Sequence, residues 1–280
     1  SAMPLDKLNL TPTNHEQAIE LSAHPHGLFL VVGPTGSGKT TTLHAVLGYI
    51  NKPERKIWTA EDLVEITQPG LQQVQKIPKI DFTFATAMRA FLRADPDVIL
   101  IGEMRDEETA SIGVEASLTG HLVLSTLHTN SAPETITRLL DLGLDPVNFS
   151  DALLGVLAQR LMRTLCPKCK APYKPDKKEL DHLIDAYGNQ EQFDEDFKDL
   201  DLGTHELMGA VGCDACGGTG YKGRTSIHEL LVGSHDLQGM IYKKADLDDI
   251  RAQALKDGMR TMKQDGIYKI FTGFSDYEKL

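Results

Sequence analysis

The sequence has no apolar run near the roughly 18–20 residues that a membrane-spanning helix needs. Its N-terminus has no basic segment followed by an apolar run, so we expect no secretory signal. Basic residues are few, because 29 Lys and Arg stand against 40 Asp and Glu in a chain of 280 residues with net charge −11. An acidic surface repels phosphate backbones. These absences predict a cytoplasmic globular protein without direct membrane insertion and without a nucleic-acid partner.

Cysteine is also scarce, but its four residues form two close pairs, Cys166 with Cys169 and Cys213 with Cys216. Without an export signal, such pairs favour a metal over disulfides. Two pairs offer four thiolates to one tetrahedral Zn²⁺, and a redox role is the alternative. The acidic, strand-poor segment 170–212 predicts a helical insertion between the two halves of this site.

Strand and helix signals alternate along the first part of the chain. Apolar runs typical of buried strands occur at 28–32, 56–60, 98–101 and 122–126. Segments with helical spacing separate them, which predicts a doubly wound α/β fold. After Gly223 we expect helices, including one at 247–256, where Asp246 is a suitable N-cap and Gly258 a suitable end.

The first strand leads into a glycine-rich segment that a helical pattern follows. The segment reads Gly33, Pro34, Thr35, Gly36, Ser37, Gly38, Lys39, Thr40. Its glycines allow backbone N–H groups to face phosphates, and the helix adds the positive end of its dipole. The site would take ATP or ADP, and Lys39 suits the β and γ phosphates of ATP. The Thr40 hydroxyl suits Mg²⁺, and Thr41 extends the nucleotide site. The flanking strand and helix argue against a chance glycine-rich turn.

Two acidic positions follow other strands of the expected sheet. Glu103 comes just after the strand at 98–101, where an acid binds the metal beside the phosphates in P-loop folds. Glu65 belongs to an acidic segment after the strand at 56–60. A carboxylate there is suited to orient or deprotonate the attacking water, and a helix-capping acidic loop is an equal alternative.

Histidines and arginines complete the candidate site. His121 and His128 flank the last strand, and a lone histidine there is more often structural than catalytic. The place of this strand in the order makes a sensor of the γ-phosphate an equal alternative for His128. Arg89, Arg93 and Arg105 belong near the same face. Single arginines are usually solvated, whereas a cluster is suited to neutralise transition-state charge, within one subunit or across a boundary.

These motifs together resemble the secretion ATPase superfamily. The matching segments are 33–43, 59–65, 91–97, 102–106 and 120–130. With the four cysteines and the segment 220–224, they resemble more narrowly the type II secretion and type IV pilus assembly ATPases. The resemblance runs from about residue 24 to the C-terminus. It implies a RecA-like P-loop NTPase core, a small tetracysteine zinc-binding element and C-terminal helices.

The resemblance implies a role for each matching residue. Glu65 takes the position of the catalytic carboxylate, Glu103 the Walker B position, and His128 the position that senses nucleotide state. Arg89 and Arg93 match arginines that approach phosphate from within or across a ring. The family implies a homohexamer that uses ATP, Mg²⁺ and Zn²⁺ beside the inner membrane, with a platform protein and cytoplasmic assembly components as partners.

The same resemblance divides the chain. Residues 1–23 are expected to be a linker remnant that starts with tag residues, followed by an ATPase core at 24–162. A tetracysteine element at 163–225 and a helical subdomain at 226–280 complete the division. Leu63 stands where the family usually carries a proline, a change that bears on the rigidity of this loop. This sequence does not include the family's N-terminal domains, one of which supplies further arginines, so we expect ATP binding with slow hydrolysis.

Two other functions fit parts of this pattern. RecA-like folds also translocate nucleic acids, but the net charge of −11 and the lack of interleaved basic and aromatic residues argue against that function. A nucleotide-gated adaptor with little hydrolysis is the non-enzymatic alternative. The sequence favours a motor that hydrolyses ATP to power pilus assembly or type II protein secretion.

Overall fold

The computed structural model describes residues 1–280, apart from the side chain of Pro78, as an α/β fold. The helices are α1 (Pro12–Ser22), α2 (Lys39–Ile50), α3 (Phe84–Ala94), α4 (Glu107–Leu118), α5 (Ala132–Asp141), α6 (Pro146–Ala152), α7 (Lys177–Tyr187), α8 (Gln190–Asp196), α9 (His235–Tyr242), α10 (Leu247–Lys256) and α11 (Met262–Phe271). The strands are β1 (Gly27–Val32), β2 (Ile57–Glu61), β3 (Leu71–Gln75), β4 (Val98–Ile101), β5 (Leu122–Leu127), β6 (Leu153–Leu165), β7 (Ala171–Tyr173), β8 (Leu207–Gly209) and β9 (Tyr221–Val232).

The main sheet has seven strands in the order β3-β2-β4-β5-β1-β6-β9. The pairs that β1 forms with β5 and β6 are parallel, as are the pairs among β3, β2, β4 and β5. Strand β5 therefore lies between β1 and β4 in the sheet. Because these three neighbouring strands are parallel, their carboxyl ends meet at the same edge. Ligand sites of open parallel sheets form at the carboxyl ends of the strands.

The central strands are buried because helices cover both faces of a parallel sheet. Every residue of β1, β4 and β5 is buried. All four strands expected from apolar runs are present, with bounds that differ by a residue at most at either end. The predicted α/β fold with a parallel sheet is therefore confirmed.

The helices around this sheet begin at side-chain caps. Thr83 accepts a hydrogen bond from the backbone of Thr86 at the start of α3, and Asp106 caps α4 in the same way. Such caps satisfy backbone donors that have no partner within the helix. The expected helix α10 has the predicted bounds, with Asp246 as its N-cap, and Gly258 follows it with a left-handed φ of 103°.

The sequence interpretation was wrong for the segment after Gly223. Strand β9 continues through this point to Val232, and helices resume only with α9. Strand β6 was not foreseen either. Strand β9 mixes exposed with buried positions and lacks the short continuous apolar run by which the other strands were recognised. Strand β6 does begin with an apolar run at 153–158, but it continues beyond that run through exposed positions to Leu165.

The chain divides into two compact units, one formed by residues 1–159 with 228–259 and the other by 160–227 with 260–280. In the second unit, α7, α8 and α11 enclose an apolar core that includes Phe193, Phe197 and Phe271. The predicted helical insertion between the cysteine pairs is thus present as α7 and α8. The expected four-part domain division stays a prediction.

Among the described residues, no helix combines the length and the apolar character that a membrane span requires.

Candidate active site

The phosphate-binding loop, residues 33–40, connects β1 to the start of α2. Gly38 directly precedes α2 with φ 88°, and Gly36 has φ 81°, values that favour glycine over other residues. A side chain at Gly33 would collide with the backbone oxygen of Gln159. The glycines are therefore required by the backbone path, and the loop ends at a helix N-terminus suited to bind an anion.

A buried glutamine on β6 holds this loop from the protein interior. Gln159 Nε2 donates to the backbone oxygen of Ser37 at 2.6 Å, and Gln159 Oε1 accepts from Thr42 Oγ1 at 2.6 Å. Gln159 is fully buried. Sequence reasoning missed it. A lone amide that directly follows an apolar stretch, as Gln159 follows residues 156–158, indicates a buried polar group that needs hydrogen-bond partners.

Lys39 points back across the loop. Its ammonium donates to the backbone oxygens of Gly33 at 2.8 Å and Pro34 at 3.1 Å, and to Nδ1 of His128 at 3.1 Å. Burial lowers the pKa of Lys39, while the charge of Glu103 acts in the opposite direction. The loop thus keeps a cation at the place where phosphate charge would be received.

The order of the strands brings His128 and Glu103 beside Lys39. Since β5 lies between β1 and β4, the residues that follow these three strands share one edge of the sheet. His128 Nε2 lies 2.9 Å from Glu103 Oε1, and Arg105 Nη2 donates to Glu103 Oε2 at 2.7 Å. Lys39, His128, Glu103 and Arg105 therefore form one continuous row of polar contacts, with hydrogen bonds at its two ends and the 2.9 Å contact of His128 with Glu103 between them.

Arg105 stands at the solvent end of this chain. Its side chain is 69% exposed, and the hydrogen bond and charge of Glu103 raise its pKa. Arg89 and Arg93 are also exposed, and Arg89 pairs with Glu108. Among the described residues, neither Arg89 nor Arg93 borders the cavity beside the phosphate-binding loop, so their assigned roles stay predictions.

That cavity has a volume of about 660 Å³ and joins the loop to the acidic segment after β2. Glu65 borders it and is exposed, with no hydrogen bond or ion pair among the described side chains. Glu61 also borders it but is buried against three donors. Burial alone would raise the pKa of Glu61, but the hydrogen bonds from His44, Gln73 and Thr59 hold it below its usual value. Of these two glutamates, only Glu65 has carboxylate oxygens without a partner among the described residues.

The residues at the start of α2 fit a magnesium nucleotide. Thr40 and Thr41 border the cavity, and the buried Ser37 Oγ has no hydrogen-bond partner among the described atoms. An unpartnered buried hydroxyl is costly, and a phosphate or metal-bound water would satisfy it. The donors suit the phosphates, while Thr40 and Glu103 offer the oxygen ligands that Mg²⁺ prefers.

In the second unit the four cysteines form a single cluster, with every Sγ within 4.8 Å of the others. Three of the Sγ pairs, Cys166 with Cys213, Cys169 with Cys216 and Cys213 with Cys216, lie at 3.9 Å. Zn–S bonds of about 2.3 Å in a tetrahedron place sulfurs about 3.8 Å apart. The cluster therefore fits zinc in both donor type and spacing.

Backbone groups support the cluster. The N–H groups of Cys213 and Gly220 each donate to Cys216 Sγ at 3.2 Å, and that of Gly212 donates to Cys169 Sγ at 3.3 Å. Donors directed at sulfur stabilise thiolates and orient metal ligands. This tetracysteine arrangement was predicted from the two pairs alone.

A parallel sheet with a phosphate-binding loop after β1 and an acid after β4 defines a P-loop NTPase of the RecA-like class. The family model for "Type II/IV secretion system protein" matches residues 1–280. The chain belongs to this family.

Named relatives and solved structures agree with this assignment. The chain is 45% identical over 282 residues to "Type II secretion system ATPase E" of Vibrio cholerae serotype O1, which covers 99% of this chain and 52% of that protein. It is 43% identical over 281 residues to "Type IV pilus assembly ATPase PilB" of Thermus thermophilus, covering 99% of this chain and 30% of that protein. The chain thus spans about half or less of the length of these relatives.

Among solved structures, the pilus retraction motor PilT with bound ADP matches with a TM-score of 0.70 and 28% sequence identity. The match covers 100% of this chain and 66% of that one. The ATPase DotB of Legionella pneumophila has a TM-score of 0.69 at 22% identity, which supports the fold alone.

Proposed function

We propose that this chain is the ATP-hydrolysing part of a motor that powers type II protein secretion or type IV pilus assembly. The observation that carries the proposal is the row of polar contacts from Lys39 through His128 to Glu103, which borders the same cavity as the exposed Glu65. A nucleotide-gated adaptor needs only the phosphate-binding loop. Hydrolysis also needs a carboxylate without a partner beside that loop, which accepts a proton from the attacking water.

The proposed roles follow from the position of each group. Backbone N–H groups of the phosphate-binding loop and Lys39 bind the phosphates of ATP. Thr40 and Glu103 hold Mg²⁺, which would supply charge neutralisation at the transferred phosphate. Glu65 orients the attacking water and receives its proton. His128 connects Lys39 to Glu103 and so responds to the nucleotide, and the proposed reaction yields ADP and phosphate.

The finer features come from the family resemblance. We propose that Arg89 and Arg93 approach the phosphates from within or across a homohexameric ring. The ring would work in the cytoplasm at the inner membrane, with a platform protein and cytoplasmic assembly components as partners. The tetracysteine cluster would hold a structural Zn²⁺, because four thiolates leave no open coordination position for catalysis.

The proposal is tested with Glu65→Gln. We expect this variant to bind ATP with a dissociation constant within about twofold of the original and to release phosphate on the order of 100-fold more slowly. Glu115→Gln is the matched control, because Glu115 is exposed on α4 and does not border the cavity. Phosphate release is measured from labelled ATP with enzyme in excess.

Two outcomes would contradict the proposal. If Glu65→Gln and the unchanged protein release phosphate equally fast, Glu65 has no part in hydrolysis. If Glu65→Gln leaves function in cells intact, with no loss of pili or secretion, an adaptor function gains support. If DNA at moderate salt strongly stimulates hydrolysis, the nucleic-acid translocase is the better function.

A further inference from the structure

A buried histidine on α2 contacts both ends of the acidic loop, residues 62–70, which joins β2 to β3 and carries Glu65. His44 follows Lys39 on the same helix and is 1% exposed. We propose that His44 is a positioning residue, which holds the acidic loop so that Glu65 faces the phosphate-binding loop. This inference rests on the role proposed above for Glu65.

The first contact fixes the start of the loop. Glu61, the last residue of β2, accepts a hydrogen bond from His44 Nε2 at 2.8 Å. Its other carboxylate oxygen accepts from Thr59 Oγ1 at 2.8 Å and from Gln73 Nε2 at 3.1 Å. A buried carboxylate is stable only when such donors replace water. Glu61 is therefore fixed to α2 through His44.

The second contact fixes the end of the loop. Gln68 Nε2 lies 2.9 Å from His44 Nδ1 and donates to the backbone oxygen of His44 at 2.9 Å. Since a carbonyl oxygen only accepts, the amide NH₂ of Gln68 faces His44, and Nδ1 is the acceptor. The ring proton is then on Nε2, directed at Glu61. The neutral imidazole thus holds both ends of the loop at once.

Between these anchors, the loop has little contact with the apolar core. Asp62, Leu63 and Glu65 are all exposed, and Leu63 is 61% exposed. Burial therefore does not determine where Glu65 lies, and hydrogen bonds do. Side chains of β3 hold its two neighbours, since the Val64 N–H donates to Gln75 Oε1 and Gln73 Nε2 donates to the Ile66 carbonyl. His44 adds the contacts to Glu61 and Gln68 on either side of them. Because α2 carries both Lys39 and His44, one helix links the phosphate site to the catalytic carboxylate. Small displacements of a catalytic group lower rates strongly, on the order of 100-fold per ångström.

Two substitutions separate the two contacts. An asparagine amide reaches the position of Nδ1, so His44→Asn retains a partner for Gln68 and loses Glu61. A glutamine amide reaches the position of Nε2, so His44→Gln retains the contact with Glu61 and loses the side-chain acceptor of Gln68, which keeps only its hydrogen bond to the backbone oxygen of residue 44. We expect each to lower the rate of hydrolysis on the order of tenfold, while the ATP dissociation constant stays within about twofold.

His121→Gln is the matched control for loss of a buried histidine. His121 is 5% exposed, and its Nδ1 donates to the backbone oxygen of Pro96 at 2.6 Å. It precedes β5, whereas His128 follows it, so it lies at the opposite end of the strand from the cavity. We expect this variant to keep the original rate of hydrolysis. A loss equal to that of the His44 variants would overturn the inference.

The Glu65→Gln background distinguishes positioning from general destabilisation. If His44 acts through Glu65, His44→Asn lowers the single-turnover rate of the original protein but changes that of Glu65→Gln by less than about twofold. Equal fold-losses in both backgrounds would overturn the inference and leave the role of Glu65 intact. If Glu65→Gln alone has no effect, the proposed function itself fails.

Gln68→Met provides an independent test if the His44 variants do not fold. It removes the contact from the loop side and leaves α2 and its pair with Glu61 unchanged. The inference predicts the same slower hydrolysis, again absent in the Glu65→Gln background. A Gln68→Met protein with the original rate would contradict it.

Discussion

His128 Nε2 lies 2.9 Å from Oε1 of Glu103, while His128 Nδ1 lies 3.1 Å from the ammonium of Lys39. An ammonium only donates, so Nδ1 accepts and the ring proton is on Nε2, the ring nitrogen that lies nearest Glu103. A neutral imidazole thus joins the phosphate-binding lysine to the acid that follows β4. Binding of a phosphate by Lys39 would therefore change the contacts of His128 and, through them, the position of Glu103.

Replacing His128 should disconnect these two groups. In His128→Ala, Lys39 and Glu103 lose their shared partner, while the phosphate-binding loop stays intact. We expect the ATP dissociation constant to change by less than about threefold and hydrolysis to fall by roughly 10- to 100-fold. Isothermal titration gives the first value, and single-turnover phosphate release gives the second. Unchanged hydrolysis would show that this link has no catalytic role.

Replacing Gln159 should weaken nucleotide binding. Gln159→Leu has a similar volume but leaves the Ser37 carbonyl and the Thr42 hydroxyl without their buried partner. We expect a loss of about 1–3 kcal/mol in the free energy of unfolding and weaker ATP binding, because the loop is no longer held in its binding shape.

Gln253→Leu is the control for that experiment. Gln253 on α10 is also buried, and its amide donates to Oδ1 of Asp257 at 2.9 Å, just after the end of that helix. Its replacement should reduce stability without changing ATP affinity. The same loss of affinity in both variants would contradict a specific role for Gln159.

Removing one thiolate should remove the metal. We expect the purified protein to contain about one zinc per chain, and Cys213→Ser to contain far less and to unfold at a lower temperature, since structural zinc contributes to folding free energy. Asp214→Asn is the control, because Asp214 is exposed in the same turn but offers no thiolate. Elemental analysis of unreduced protein with well under one zinc per chain would contradict the prediction.

Stability should depend on the ionisation of Glu61. Its pKa lies below the ordinary value of 4.5 in the folded chain, so its charge stabilises the fold above about pH 4.5 and this contribution is lost as the pH falls through the lowered pKa. Glu61→Gln should therefore be less stable than the original protein at pH 7, and the difference should shrink below about pH 4.5.

Urea unfolding monitored at Trp58 gives this measurement. Trp58 is the one tryptophan in the sequence and lies on the same strand as Glu61, so its fluorescence reports the first unit. A difference in stability that stays constant from pH 7 to pH 4 would show that the charge of Glu61 contributes nothing.

Several features were predictable because short-range chemistry specifies them. The phosphate-binding loop needs its glycines at fixed offsets, and the strands of a parallel sheet are buried on both faces, which leaves continuous apolar runs. The cysteine pairs are equally explicit. Strand β9 was missed because its exposed residues interrupt the apolar pattern.

The roles of the two acidic-segment glutamates were harder to separate. Glu61 and Glu65 are both glutamates that follow an apolar strand, and no local pattern distinguishes them. The packing of α2 places His44 beside Glu61, and the pairing of β3 with β2 places Gln73 there, next to Thr59 of β2 itself. Asp62 is also exposed at the cavity but pairs with Lys76, which leaves Glu65 as the exposed carboxylate there without an ion pair among the described residues.

The sequence by itself determined the class of fold, the phosphate-binding loop and the four thiol ligands, because each depends on residues close together in the chain. The tertiary structure alone decided which distant side chains meet. It inserted β5 between β1 and β4, which brought His128 between Lys39 and Glu103, and it placed Gln159 beneath the loop. Such contacts depend on strand order and packing, and the spacing of residues along the chain does not reveal either of them.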